Sequence, residues 1–356
     1  MNWQIQFSKR KIIETVLLII AVVILISLEI FTHQQSRRSI HTQTQSSGPY
    51  QVVGNKILDA QDNEHIFQGV TKPSLEWSAK GEHISEQELL ILKKTLPRAN
   101  IIRLPLNQTF WLSKDTGKEY QKVVRQTVNF VESTVHMDIL LDLHSKGDGD
   151  DNQDHHLPND ESGRFWDEVA REYKNDPHVL FELYNEPVLP KNASPDVWLK
   201  GGKLEDGYTA IGMQELIDII RGTGANNIIV ANGINYGYDF TFDSKQLPLP
   251  QGKNIVFGSH PYNFAGKNIL ADWQHDFMFL NKHYPIMLTE FGDTQTCDGK
   301  YGEKLIDYAT TNHISWIAWA WYPADDYCGF PSLIDKNSKV TPAGRVVQKE
   351  LGPQQK

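Results

Sequence analysis

The sequence predicts an α/β fold: a (β/α)8 barrel with a small N-terminal β-hairpin, preceded by one N-terminal transmembrane helix. Short apolar runs bounded by Gly, Pro or Asn alternate with longer segments of helical character, the pattern of repeated βα units on a parallel sheet. Eight such runs fall within roughly 300 residues, the size of one α/β barrel, and no G-x-G-x-x-G follows the first, as an open dinucleotide-binding sheet would need. Ahead of them, Ile12 to Phe31 is almost wholly apolar and long enough to cross a hydrocarbon core of about 30 Å.

That leading segment sets the organisation. Lys9, Arg10 and Lys11 precede the apolar run, so residues 1–11 are expected in the cytoplasm and everything downstream is exported; Arg37 and Arg38 weaken this bias without reversing it. The run is longer than a signal-peptide core and ends in Leu28-Glu29-Ile30-Phe31 without a small-x-small site, so residues 12–31 are read as an uncleaved signal anchor. Cleavage, giving a secreted domain, is the alternative. Residues 32–48, rich in Gln, Ser, Thr and Arg, read as a flexible linker, and residues 49–356 as the single exported domain, periplasmic or extracellular.

Within the domain, Tyr50 to Glu64 reads as a hairpin that plugs the bottom of the barrel. The strands then run His65–Val70, Asn100–Leu104, Asp138–Leu143, Val179–Leu183, Asn227–Ala231, Asn254–Ser259, Pro285–Glu290 and Ile314–Trp321. Helices are expected over Ser85–Leu96, opened by a capping box at Ser85 and Glu88, then Tyr120–His136, Ser162–Lys174, Tyr208–Gly222, Ile269–His283, Tyr301–Thr311 and Thr341–Leu351. Tyr236 to Gly252, rich in Asp, Pro and Gly, marks no clear helix after the fifth strand.

The net charge of −9 opposes a nucleic-acid role, since phosphate binding needs a basic face; neutral polymers fit better. Cys297 and Cys328 are the only two cysteines, each seven residues beyond a strand-end landmark, Glu290 and Trp321. Neighbouring strands would bring their loops side by side, and export allows a disulfide to persist. The acidic stretch Lys146 to His156 starts like a calcium loop at Asp148, Asp150 and Asn152. It lacks the Gly and Glu such a loop needs, so it reads as a solvated loop and no metal is expected.

In such a barrel the active site lies at the C-terminal strand ends. Two acids stand there, Glu186 in Asn185-Glu186-Pro187 and Glu290 in Thr289-Glu290-Phe291-Gly292, each read as the last residue of a buried apolar strand. Glycoside cleavage needs such a pair: an acid to protonate the leaving oxygen, and a carboxylate on the other side of the anomeric carbon. Arg103, His144, Asn185, His260, Tyr262 and Trp319 would converge on the same mouth.

Those residues resemble glycoside hydrolase family 5, the cellulase family of the large retaining barrel clan. The resemblance rests on Ile102-Arg103-Leu104-Pro105, Leu141-Asp142-Leu143-His144, Leu183 to Pro187, His260-Pro261-Tyr262, Thr289 to Gly292 and Trp316 to Trp319, in that order. It implies Glu186 as acid/base and Glu290 as nucleophile, with retention of configuration. Arg103 and Tyr262 would hold Glu290 ionised, Asn185 would meet the sugar 2-hydroxyl, His144 and His260 would orient hydroxyls or carboxylates, and Trp319 would be the sugar platform. The alternatives are a structural ion pair for Arg103, satisfied core histidines for His144 and His260, and barrel packing for Trp319. The expected activity is a cofactor-free endo-β-1,4-glucanase, acting as a monomer on β-linked oligo- or polysaccharide. A β-mannanase, xyloglucanase or exo-β-1,3-glucanase shares the same residues. Other classes are a non-catalytic carbohydrate-binding barrel, and a metal hydrolase built on His144, His155 and His156.

Overall fold

The computed structural model describes residues 49–147, 156–263 and 270–354. The expected anchor at 12–31, the linker at 32–48, and residues 148–155 of the acidic loop, His155 among them, lie outside the described residues; no described helix is long and apolar enough to cross a membrane.

The domain opens with the expected hairpin, β1 (Gln51–Val53) paired antiparallel with β2 (Lys56–Leu58). The barrel strands follow as β3 (Gln68–Thr71), β4 (Ile101–Asn107), β5 (Asp138–Ser145) and β6 (Val179–Glu182). A small antiparallel pair, β7 (Gly201–Lys203) and β8 (Thr209–Ile211), precedes β9 (Ile229–Asn232). A second pair, β10 (Thr241–Phe242) and β11 (Lys245–Gln246), precedes β12 (Ile255–Ser259), β13 (Ile286–Leu288) and β14 (Ser315–Ala318). Finally β15 (Pro323–Ala324) and β16 (Ile334–Asp335) pair in parallel. Strands β3, β4, β5, β6, β9, β12, β13 and β14 close an eight-stranded parallel barrel, β14 returning to β3 through Trp316 opposite Gln68 and Ala318 opposite Val70.

Side chains alternate faces along a strand, and that period of two sorts the barrel residues. Ile101, Leu140, Leu180, Val230, Val256, Met287 and Ile317 form one cluster inside the barrel, closed below by Tyr50, Ile57 and Phe67 from the hairpin and its exit. The hairpin therefore does plug the bottom. Their neighbours, such as Ile102, Leu141, Phe181, Ile229, Phe257, Leu288 and Trp316, belong to the outer cluster packed against the helices. Both strand faces are buried, which is why these strands read as continuous apolar runs.

Several boundaries differ from expectation. The helix expected over Tyr208–Gly222 starts only at Met213, because Gly212 is its N-cap and Thr209–Ile211 pairs in β8 instead. Ile269–His283 divides into an α-helix, Leu270–Asp276, and a 3-10 turn, Met278–Lys282. Between β9 and β12 the described chain forms only a single turn, Ile234–Gly237, broken by Asn235 and Tyr236 at positive φ, and then the β10–β11 pair. The final barrel strand ends at Ala318, not Trp321. The capping box forms as expected: the Glu88 amide donates to the Ser85 hydroxyl, and the Ser85 amide to the Glu88 carboxylate.

Candidate active site

Two residues beyond the apolar layer, the same inward face turns polar: Arg103, Asp142, Glu182, Asn232, Thr289 and Trp319 occupy it. Gly258 holds the corresponding position on β12, and a Cβ there would collide with Asn232 Oδ1. Strand β12 thus leaves room for an amide that the rest of the site uses.

Arg103 is wholly buried and organises the floor. Its Nη1 donates to Glu290 Oε1 at 2.6 Å, Nε to Glu182 Oε2 at 2.6 Å, and Nη2 to Asn185 Oδ1 at 2.8 Å, with Asp142 Oδ2 also 2.8 Å from Nη2. Burial alone would discharge it; Asp142, Glu182 and Glu290 hold it firmly cationic. Asn232 Nδ2 ties the adjacent level, donating to Glu182 Oε1 at 2.6 Å and to the Asn185 carbonyl at 2.7 Å.

The two candidate acids sit just past the strands rather than as their last residues. Strand β6 ends at Glu182 and β13 at Leu288, so the chain leaves the regular ladder before Glu186 and Glu290. Their approach is close: one oxygen of each, together with a ring nitrogen of His260, lie within 4.8 Å of one another. A double-displacement pair, in which one acid attacks the sugar itself, is expected at about 5 to 5.5 Å, whereas a pair with water between the acids needs about 6.5 to 9.5 Å.

Their surroundings differ. Glu290 is 4% exposed and accepts from Arg103 and, at 2.8 Å, from the Tyr262 hydroxyl. Burial opposes its charge, but His260, Arg103, His144 and the Tyr262 bond outweigh burial and hold its pKa below the usual carboxylate value. Glu186 is 29% exposed, and its Oε1 lies 3.1 Å from His260 Nδ1. For His260, burial works against the cation, yet Glu290, Glu182 and Glu186 together raise its pKa to about 10. As an imidazolium it donates from Nε2 to Thr289 Oγ1 at 2.9 Å, and Thr289 donates on to Asn232 Oδ1 at 3.2 Å.

His144 lies on the other flank. Its Nδ1 is 2.8 Å from Asp142 Oδ2 and its ring stacks on Trp319, centroids 5.8 Å apart and planes 16° from parallel. Burial lowers its pKa, but Asp142, Glu76 and Glu290 bring it up to about 9. These groups line a cleft of about 500 Å3 with His156, Tyr184, Tyr236 and Phe330.

All eight sequence-predicted site residues therefore meet in one place, and Cys297 is bonded to Cys328 nearby, Cα atoms 5.4 Å apart. Glu182, Asp142, Asn232 and Thr289 were missed, as were Glu76 and Phe330. Glu182 and Asp142 interrupt apolar runs two residues after a core position, a period-two signal that the strand-end rule overlooks, whereas Asn232 closes β9 and stands at a strand end. Glu76 lies in the loop after β3; its carboxyl accepts from the Ser74 amide at 2.7 Å, and burial raises its pKa to about 7.

A closed parallel barrel with a near-contact carboxylate pair at its C-terminal mouth defines a class of glycosidase-type sites. The cellulase model of glycosyl hydrolase family 5 matches residues 58–325. The chain belongs to that family. It is 24% identical to an endoglucanase from Clostridium saccharobutylicum over 88% of its own length and 66% of the relative's. It is likewise 24% identical to endoglucanase C from Evansella cellulosilytica, over 76% of this chain and 35% of that one. The chain thus spans less than two thirds of either relative. A β-glucanase from Saccharophagus degradans, crystallised with cellotetraose, superposes with a TM-score of 0.68 at 22% identity, over 87% of this chain and 94% of its own. The catalytic domain of a Thermobifida fusca endoglucanase does so at 0.66 and 19% identity, over 86% and 98%.

Proposed function

We propose that this domain is a retaining O-glycosyl hydrolase acting internally on β-1,4-linked glucan. The observation that carries the reading is the Glu186–Glu290 approach within 4.8 Å, with only Glu290 pinned by Arg103 and Tyr262. In this reading Glu290, held ionised, attacks the anomeric carbon while Glu186 gives its proton to the leaving oxygen. A glycosyl ester on Glu290 forms, neutralising its charge. Glu186, the more exposed acid, then takes a proton from water, whose oxygen displaces Glu290 and returns the original configuration.

The neighbours have roles in the same scheme. Asn185 commits Oδ1 to Arg103, which leaves Nδ2 to donate to the 2-hydroxyl of the reacting sugar. His260 balances two carboxylates whose charges alternate during turnover. Trp319, its plane fixed by His144, offers an apolar face to a pyranose. The choice of β-1,4-glucan is supported by the endoglucanase names of the relatives. It is also supported by the cellotetraose in the Saccharophagus degradans complex.

Assay of residues 49–356 on a panel of β-glucans and β-mannans tests this. A rapid fall in the viscosity of soluble β-1,4-glucan is expected; activity on mannan alone, or release of single terminal sugars alone, contradicts it. The apolar run at 12–31, with its basic flank, supports a second proposal: the domain is exported and tethered by an uncleaved anchor, with 32–48 as the tether.

A further inference from the structure

The disulfide joins two loops that both reach the cleft. Cys297 follows the turn that leaves Glu290, where Asp293 Oδ1 accepts from the amides of Gln295 and Thr296 at 3.0 Å each. Cys328 stands in the loop between β15 and β16, two residues before Phe330, which lines the cleft. The Phe330 ring meets Trp319 at 5.5 Å, Tyr322 at 5.7 Å and Trp77 at 6.4 Å between centroids. It therefore extends the aromatic wall beyond the one ring already assigned to the reacting sugar.

The backbone bonds of the Phe330 loop are local. Asp326 Oδ1 accepts from the amides of Cys328 and Gly329 at 3.0 Å each, the Asp326 carbonyl accepts from Phe330, and Ser332 donates to the Tyr327 carbonyl. Asp325, Asp326 and Tyr327 are exposed, so water competes for these bonds. Across the seam, Gly292 has no room for a side chain: a Cβ there would stand 2.8 Å from both Pro331 and Tyr262. One loop thus packs on the other at Gly292 and Pro331, and the covalent tie lies on the same seam.

Resting on the glycan-hydrolase reading above, we propose that the Cys297–Cys328 disulfide is a positioning device for Phe330, and that Phe330 is a specificity-determining residue that binds a sugar beyond the reacting one. The bond holds the Phe330 loop to the segment carrying Glu290, so the ring stands at a fixed distance from the reacting centre. A flat apolar ring at that place suits the C–H face of a pyranose. The chemistry at Glu186 and Glu290 does not pass through it. Loss of the tie therefore weakens capture of longer chains more than it slows bond cleavage.

A double-mutant cycle tests this. The Cys297→Ser/Cys328→Ser variant and Phe330→Ala are compared separately and together, on cello-oligosaccharides of four or more units and on an activated aryl glycoside carrying one sugar. Removing the disulfide is expected to raise KM for the oligosaccharides about three- to tenfold, with kcat within about twofold, and to leave the one-sugar substrate nearly untouched. In the Phe330→Ala background, removing the disulfide is expected to change nothing further. A KM rise that persists without Phe330, a fall in kcat at constant KM, or equal losses on both substrates overturns the proposal. Wild type inactive on every β-glucan contradicts the hydrolase reading itself, and is distinguished by assaying it first.

Discussion

Arg103 contacts the acid it activates and also Glu182, a carboxylate with no assigned part in the chemistry, and the second contact makes the first dependable. Burial works against the Glu182 charge, but Arg103 and His260 hold its pKa down at about 2, so it stays an anion and anchors both cations. The guanidinium cannot swing away from Glu290 without abandoning Glu182 and Asn185. Glu186 and Glu290 were legible because each closes an apolar run beside Pro or Gly. Glu182 and Asp142 were not, because a charge inside a strand run was not read as pointing into a barrel. For the two acids the expected variants differ. Glu290→Ala loses essentially all turnover, about 10^5-fold or more if it forms the covalent bond. Glu186→Ala retains hydrolysis of activated leaving groups and recovers further with external azide. Steady-state kinetics with an aryl glycoside checks both, and the azide product of Glu186→Ala should be the β-glycosyl azide; an α-glycosyl azide from Glu186→Ala would reverse the assignment.

Among the elements, the barrel strands were found in full and in order, since doubly buried parallel strands announce themselves as apolar runs. The segment after β9 was the part left open, and the structure shows why: Pro248, Pro250 and left-handed Asn235 and Tyr236 disallow a continuous helix. Thr209–Ile211 falls within the helix expected over Tyr208–Gly222, but it pairs as a strand and the Gly212 cap opens the helix only at Met213. Strand β12 offers a sharp test of how an element supports the site. Gly258→Ala pushes a methyl onto Asn232, the residue that holds Glu182 and the Asn185 carbonyl. We expect about 1 to 3 kcal/mol of destabilisation from overpacking, with kcat/KM at least tenfold down. Gly222→Ala, with open space around its Cβ, is the control and stays near wild type. Urea unfolding and kinetics on the same preparations measure both; an unchanged Gly258→Ala enzyme refutes the role given to Asn232.

At the scale of the whole molecule, the bottom of the barrel contributes to the pH dependence of stability. His65 is packed between Tyr50 and Phe67, with neither ring nitrogen hydrogen-bonded. Burial lowers its pKa, partly offset by Asp138 and Asp59. The fold thus prefers neutral His65, and this contribution is fully present above the unfolded value near 6.5 and is lost as pH falls below it. His65→Phe should flatten the decline in unfolding free energy between about pH 6.5 and 5, where one such group accounts for up to about 1.4 kcal/mol per pH unit. Parallel slopes for wild type and variant would contradict this. For the proposed anchor, the full chain should remain with membranes through a high-salt wash, because salt screens charge and not an apolar span. Deleting residues 1–48 should give an active soluble domain, and a mature N-terminus near His33 would instead indicate cleavage.

The central claim is a double displacement between Glu186 and Glu290, and the anomeric configuration of the first product tests it most directly. Proton NMR during the first minutes of hydrolysis of a β-linked oligosaccharide should show the β-anomer of the new reducing end appearing first, with the α-anomer growing only by mutarotation. The α-anomer appearing first would mean inversion, with water between the two acids, and would contradict the account.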